Sequence, residues 1–263
     1  MEATSISSSQ RDDSPLSDPV AESRRLVDVA TRKSVVARLL GGAAIYIQAP
    51  PEGPLLARPV KDIDIATKRG ARTAVTEVLI AAGYVPDEMF NALHGARRLL
   101  FYDEAHIRKL DVFVGDFSMC HQIPITDRLD NEPLTIPLAE LLLTKLQIVE
   151  LTERDQRDIY NLTYHHPITE RGGAGIEADY IATVCARDWG LWRTARATIE
   201  RCRSGIGEHG LDAHACELIG QRLDQLWRRI EAEPKTARWR LRSRVGDRVR
   251  WYDEPEEHPE QGR

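Results

Sequence analysis

The chain has 263 residues, of which 42% are hydrophobic and 29% charged, and its formal net charge is -5. This composition excludes a disordered or low-complexity protein and permits a buried core in one large domain or two adjoining domains. The sequence has no run of about 18 uncharged apolar residues, and its acidic beginning lacks the basic and apolar segments of a signal peptide. We therefore expect a cytoplasmic protein with no membrane partner.

Charge is distributed unevenly along the chain. Residues 1–22 and 251–263 are acidic and predict solvated tails, the first of them disordered. Residues 193–250 carry 14 Lys or Arg against eight Asp or Glu, a basic surplus that a polyanion could use. A basic helical surface without a ligand is the alternative. We place a core domain in residues 23–135 and a helical domain in residues 136–250.

Hydrophobic spacing predicts the first elements. Apolar residues at helical steps indicate a helix within residues 21–40, after the acidic tail. The short apolar run at residues 43–47 follows Gly41 and Gly42 and precedes two prolines, a context that favours a buried strand. A proline-rich spacer then leads to the next predicted strand.

The later elements complete an α+β outline. Residues 60–67, with Val60, Ile63 and Ile65 as apolar positions, predict a strand, and the helical segment after it stops at Gly83. The segments RRLLFY and IRKLDVFVG flank DEAH and predict a hairpin. From residue 137 the period becomes helical, with breaks at residues 165–175 and 204–210. The sequence thus predicts a mixed-sheet core with flanking helices, followed by a mainly helical C-terminal half.

Three aspartates and two glycines form the most informative pattern. Asp62 and Asp64 stand two residues apart on a predicted strand, so their side chains project from one face. Asp111 lies on a later strand that could pair beside them. Three converging carboxylates repel one another unless a cation neutralises them, and such oxygen ligands suit Mg²⁺ or Mn²⁺. Gly41 and Gly42 would let phosphate oxygens approach backbone N–H groups.

A lysine on an apolar helical stripe is the next candidate. Leucines at steps of three and four residues surround Lys145, so its ammonium group needs an anion such as a triphosphate. A lysine that snorkels at the edge of the stripe is the alternative. Asp155 and Asp158 share one helix face, and ion pairs with Arg154 or Arg157 are their simplest explanation.

These motifs resemble the polymerase-β-like nucleotidyltransferase superfamily. Its first motif, a hydrophobic residue and glycine followed by glycine or serine, is matched by Leu40-Gly41-Gly42. Its second and third acidic strand motifs are matched by Lys61-Asp62-Ile63-Asp64-Ile65 and by Leu110-Asp111-Val112. The chain is most similar to the AbiE-type group, whose helical segment with a lysine and a KDxxD-like element is similar to PLAELLLTKLQIVELTERDQRDIYNL. The resemblance covers residues 24–166.

The resemblance implies transfer of a nucleoside monophosphate from an NTP such as ATP to an acceptor hydroxyl, with release of pyrophosphate. Mg²⁺ or Mn²⁺ would be bound by Asp62, Asp64 and Asp111. The residues assigned to catalysis are Asp62, Asp64, Asp111, Lys145 and Asp158. Those assigned to nucleotide binding are Gly41, Gly42, Lys61 and Lys145. Because the group includes toxins of toxin-antitoxin pairs, a tRNA or other RNA acceptor and a cognate antitoxin are expected partners.

Two departures from the family pattern leave other functions open. Gly42 stands where many active members have serine, and the spacer from Gly42 to Asp62 is long and proline-rich, which predicts a wider pocket or a lid. A non-catalytic RNA- or protein-binding module on the same fold is one alternative. A small-molecule adenylyltransferase of the antibiotic-modifying kind is another.

An arginine-rich segment near the C-terminus is a candidate RNA-binding element. Residues 238–252 contain six arginines together with Trp239, Trp251 and Tyr252. Arginine beside aromatic faces favours stacking and phosphate contacts on single-stranded RNA. The alternative is a structural segment whose arginines pair with acids of the same domain.

Histidine, cysteine and glycine-rich candidates are weaker. The four cysteines are far apart and form no CxxC pair, which is typical of buried thiols in a reducing compartment. Cys120-His121 has no further ligands at zinc spacing, so a structural role is expected. His165 and His166 are adjacent, so their side chains diverge, and a histidine pair in a loop is a better explanation than a metal site. The glycine-rich stretch at residues 171–175 follows no clear strand and predicts a connector.

Overall fold

The computed structural model describes residues 14–255 of the chain. A five-stranded mixed sheet forms the N-terminal half of the protein. Its strands are Ala37–Leu40 (β1), Ile63–Thr67 (β2), Val85–Pro86 (β3), Arg98–Asp103 (β4) and Arg108–Val114 (β5). Their spatial order is β1-β2-β5-β4-β3. Strands β2 and β5 are parallel, and the other neighbours are antiparallel. The predicted hairpin is confirmed as β4 and β5.

Helices surround this sheet and make up most of the C-terminal half. They are Pro19–Arg32 (α1), Gly41–Gln48 (α2), Arg72–Ala81 (α3), Glu88–His94 (α4), Leu138–Leu146 (α5), Glu153–His165 (α6), Ala178–Arg187 (α7), Trp189–Gly205 (α8), Ala213–Ala232 (α9) and Ala237–Val245 (α10). Two small strand pairs lie between them, Phe117–Ser118 (β6) with Gln122–Ile123 (β7) and Ile168–Thr169 (β8) with Ile176–Glu177 (β9). The α+β architecture with a helical second half is confirmed. Among residues 14–255, no helix has the length and apolar character that a bilayer span requires.

The first helix begins inside the segment predicted as a disordered tail. The Asp18 side chain accepts a hydrogen bond from the backbone N–H of Ala21, which starts α1 at Pro19. The next turn is tied down by Glu22, which is buried and bonded to Arg25 at 2.7 Å. Residues 19–22 are therefore ordered, and the tail boundary at residue 22 is wrong. Residues 1–13 of that predicted tail lie outside the described part.

Two predicted elements near the glycine pair are also wrong. The first helix stops at Arg32, and residues 37–40 form β1, because Ser34 adopts a left-handed φ of 59° that no helix continues through. The run at residues 43–47 is part of α2 rather than a strand. This helix packs against α1, α5, α6 and β2, so it is apolar on every side and shows no period that could distinguish it from a buried strand.

One hydrophobic cluster continues from Leu26 in α1 to Ile230 in α9. The change from strands to helices comes at Leu138, close to the boundary predicted at residue 136, and α5 packs on both α2 and α8. The two halves therefore share their core.

The last described residues also pack on the fold. The Trp251 ring meets the Trp189 ring edge-on at 6.3 Å, and the backbone N–H of Asp253 donates to Cys120. The start of the segment predicted as a C-terminal acidic tail is thus held in place, while residues 256–263 lie outside the described part.

Candidate active site

The glycine pair lies where β1 ends beside the acidic strand. Leu40, the last residue of β1, is in register with Asp64 on β2. Gly41 follows with a φ of 64° and turns the chain directly into α2. A Cβ at Gly41 would overlap the Asp64 carboxylate, so both the backbone angle and the space require glycine here. The first turn of α2, which has no side-chain cap, is thereby placed against the acidic strand.

Strand pairing brings two of the three predicted aspartates together. Asp64 on β2 is directly in register with Asp111 on the parallel strand β5. Burial, together with repulsion from Asp111, raises the pKa of Asp64 to about 7, against the attraction of Lys145. Asp62 precedes β2 and is exposed, and it adds to the repulsion. The structure therefore pairs Asp64 with Asp111 across the two strands, while Asp62 lies outside β2 and acts on Asp64 only through its charge.

Asp111 differs from its predicted role in one respect. Its carboxylate is 4% exposed and accepts from Arg98 Nε at 2.8 Å, and it is paired with Lys109 Nζ at 3.0 Å. Both oxygens therefore already have cationic partners. Within residues 14–255, no group of three or more His, Cys, Asp or Glu side chains has a geometry that could hold a metal ion.

A cleft of about 200 Å³ opens beside Asp64 and collects residues from four separate parts of the chain. Its charged lining consists of four bases and three acids, namely Arg58, Lys61, Lys145, Arg154, Asp62, Asp64 and Asp155. Gly42 also lines it. The sequence-predicted nucleotide-binding residues Gly42, Lys61 and Lys145 therefore share one cleft with Asp62 and Asp64.

Lys145 is held by two acids of α6. Its Nζ lies 2.9 Å from Asp158 and 3.3 Å from Asp155. Burial alone would lower the pKa of Lys145, but attraction to Asp158 and Asp155 outweighs it and raises that pKa. The side chain is 13% exposed, so it is neither a snorkelling lysine nor free of partners. Asp155 and Asp158 pair with Lys145 rather than with Arg154 or Arg157, contrary to the simplest sequence explanation.

Arg58 is the site residue that the sequence did not single out. It comes from the proline-rich spacer and forms two bonds with the Asp158 carboxylate, Nε to Oδ1 at 2.9 Å and Nη2 to Oδ2 at 2.7 Å. A Cβ on Gly42 would lie 2.6 Å from Arg58 Nη2, so the guanidinium covers this glycine. Any side chain at position 42 would therefore meet the Arg58 guanidinium. The only sequence signal was a basic residue in the unusual spacer.

The weaker candidates take structural roles. His165 accepts from the backbone N–H of Leu55 at 3.0 Å and so anchors the spacer loop. His121 is buried and contacts Thr194 at 2.8 Å. Cys120, Cys185 and Cys202 are buried free thiols, and burial raises the pKa of Cys185 to about 12. The glycine-rich stretch at residues 171–175 is the connector between β8 and β9.

The donor set fits a magnesium ion that is shared with a substrate. Mg²⁺ is usually bound through one or two carboxylates, with phosphate oxygens and water completing its shell. Asp62 and Asp64 supply two such carboxylates on the wall of the cleft. Burial first and repulsion from Asp111 second raise the pKa of Asp64, and a divalent cation beside this carboxylate would oppose both effects.

The sequence was compared with protein-family models and with curated proteins. Neither the scan against protein-family models nor the search of curated proteins returned a significant match.

Proposed function

We propose that the protein is a metal-dependent nucleotidyltransferase that moves a nucleoside monophosphate from an NTP to an acceptor hydroxyl. The observation that carries this proposal is the cleft at the end of β1. There a glycine pair that opens a helix, a strand that carries Asp64 and follows Asp62, and a largely buried lysine meet, although they come from distant segments. Backbone N–H groups at a helix start and a net basic lining suit phosphate, and paired carboxylates suit Mg²⁺.

In this proposal, one set of cleft residues binds the triphosphate and another holds the metal. The first-turn N–H groups at Gly41 and Gly42, with Lys145, Lys61 and Arg58, would hold the triphosphate and neutralise the charge that moves to the leaving pyrophosphate. Asp62 and Asp64 would hold the metal, which supplies Lewis-acid polarisation of the phosphate when bound.

The acceptor oxygen would form the new bond to the α-phosphorus while the bond to the pyrophosphate oxygen breaks. The hydroxyl proton would pass to a carboxylate, and Asp111 keeps this role as a proposal. In that case one of its two cationic partners, Arg98 or Lys109, must release it. Asp158 acts through others, since it positions Lys145 and Arg58.

A non-catalytic binding module is the second candidate. Pairing of both Asp111 oxygens with cations favours it, because a proton acceptor is then unavailable. A tRNA acceptor and an antitoxin partner rest on the family resemblance. A small-molecule acceptor is the third possibility, and the same assay separates it.

The test is label transfer from each of the four α-labelled NTPs in Mg²⁺, with total RNA or with aminoglycoside-type small molecules as acceptor. We expect pyrophosphate release and labelled RNA with wild type and a loss of at least about 100-fold in Asp64→Asn, because the metal that Asp64 would hold supplies several kcal/mol of charge stabilisation. Asp127→Asn serves as the control, because Asp127 is exposed and lies outside the cleft. Absence of pyrophosphate release with every NTP supports the binding module. Full activity of Asp64→Asn refutes the site.

A further inference from the structure

A second cavity lies in the helical half, among the tryptophans. It has a volume of about 440 Å³, within the usual size range of small-ligand sites. Three indole rings line it, those of Trp189, Trp239 and Trp251. None of the five tryptophans of the chain lines the cleft at Asp64. The cavity is therefore separate from the candidate active site.

The charge of this cavity is mainly positive. Arg187, Arg238 and Arg242 line it, and Asp188 is the one acid in its lining. Asp188 is already engaged, since its carboxylate caps α8 by accepting from Leu191 at 3.1 Å. The cavity therefore attracts anions.

Two of the three arginines are available to a ligand. Arg187 and Arg238 are exposed, and neither has an ion pair or a side-chain hydrogen bond within residues 14–255. Arg242 instead forms part of the wall. Its guanidinium lies 4.6 Å from the centre of the Trp189 ring and donates to the backbone oxygens of Gly246 and Val249 at 2.8 and 2.9 Å.

The aromatic rings are held in fixed positions. Trp251 donates through Nε1 to Thr194 at 3.1 Å, and Trp239 packs edge-on against Trp192 at 5.2 Å. The indole Nε1 of Trp239 is buried and has no hydrogen-bond partner within the described range. A buried donor of this kind is costly unless it meets an acceptor.

From this combination we infer that the tryptophan cavity binds a nucleotide unit of single-stranded RNA. A nucleobase would stack on the half-buried indoles of Trp239 and Trp251, since Arg242 already covers the buried Trp189, and its phosphate would contact Arg187 and Arg238. The arginine-rich segment predicted from the sequence thus acts at a defined cavity rather than as a diffuse basic surface. This binding is expected whether or not the cleft at Asp64 transfers nucleotides.

The experiment is a fluorescence titration of the full chain in EDTA, because the three cavity tryptophans report directly on their own site. The probes are a single-stranded RNA tetranucleotide, AMP, and ribose 5-phosphate, which lacks a base. We expect quenching by the tetranucleotide at lower concentration than by AMP, and none by ribose 5-phosphate at the same concentrations. If AMP binds and the tetranucleotide binds no better, the site takes a free mononucleotide and the RNA assignment is overturned.

Two matched double variants test the location. Arg187→Gln with Arg238→Gln removes two charges from the cavity, and Arg240→Gln with Arg244→Gln removes two from exposed positions of α10 outside its lining. The first should flatten the logarithmic salt dependence of tetranucleotide binding by about 0.7 units, the single-strand scale for the one phosphate that both arginines contact. The Arg240→Gln, Arg244→Gln variant should show a salt dependence close to that of wild type. Equal effects of the two pairs, or no quenching at all, would overturn the proposal, and denaturant unfolding verifies that both variants are folded.

Discussion

Asp64 offers a direct test of the electrostatics of the cleft in the metal-free protein. Its pKa is about 7 in the folded chain, against an ordinary value of 3.8. Because the folded pKa is the higher one, the native state binds more protons than the unfolded state between these values. Stability contributed at this site is therefore lost as the pH rises from about 4 to about 7, and the loss is constant above that.

The size of the effect follows from the shift. Each unit of pKa corresponds to about 1.4 kcal/mol, so the interval from about pH 5 to about pH 8 spans roughly two units of the shift and about 3 kcal/mol. Asp64 is partly exposed, so solvent screening reduces this figure. We therefore expect the free energy of unfolding to fall by about 1 to 3 kcal/mol over this interval. The variant Asp64→Asn keeps the shape of the side chain and removes its charge.

The assay is denaturant unfolding of wild type and Asp64→Asn in EDTA at about pH 5 and about pH 8. Between these two pH values, the free energy of unfolding of wild type should fall by about 1 to 3 kcal/mol more than that of Asp64→Asn. Asp127→Asn, at an exposed position, should follow wild type at both pH values. A gap between wild type and Asp64→Asn that is the same at both pH values would refute the reasoning, because a pH-independent gap reflects packing or hydrogen bonding rather than ionisation.

Two further predictions concern the glycine turn and the lysine. Gly41→Ala should lower the free energy of unfolding by about 2 to 4 kcal/mol, because it adds a left-handed backbone penalty and an overlap with Asp64. Gly220→Ala, in helix α9 with open space around it, should be neutral or stabilising by up to about 1 kcal/mol, and thermal unfolding compares the two. Lys145→Ala should reduce NTP turnover per folded molecule more than Lys145→Arg, since a cation near the phosphates is what the proposal requires. Unchanged turnover per folded molecule in Lys145→Ala would return this lysine to a purely structural role.

Local periodicity was sufficient for much of the fold. Apolar runs bounded by turn residues identified the strand that carries Asp64 and the hairpin, and the helical period after residue 137 identified the helical half. The helical period is readable because a helix such as α9 buries one face and exposes the other, whereas β2 and β5 are buried at nearly every residue. The same reasoning placed Asp62 and Asp64 next to each other at the sheet.

The short apolar segment in α2 could not be assigned by this reasoning. Residues 43–47 are apolar throughout, so their sequence shows neither a helical nor a strand periodicity. The turn at Gly41 and the packing of α1, α5 and α6 around the segment decided for a helix. Likewise, the order of residues 19–22 depends on Glu22 reaching Arg25 and the hydroxyl of Tyr84.

The candidate site shows the same division between what a sequence determines and what packing decides. The residue types of the acidic strand and the glycine pair, together with their local spacing, were sufficient to predict a phosphate and metal site. The bonds from Arg58 to Asp158 join residues 100 positions apart, and Arg98 reaches Asp111 from a neighbouring strand. Such pairings depend on how the chain folds back on itself. Local sequence patterns carry no information about such ion pairs. Only the tertiary structure determines which arginine or lysine pairs with which aspartate.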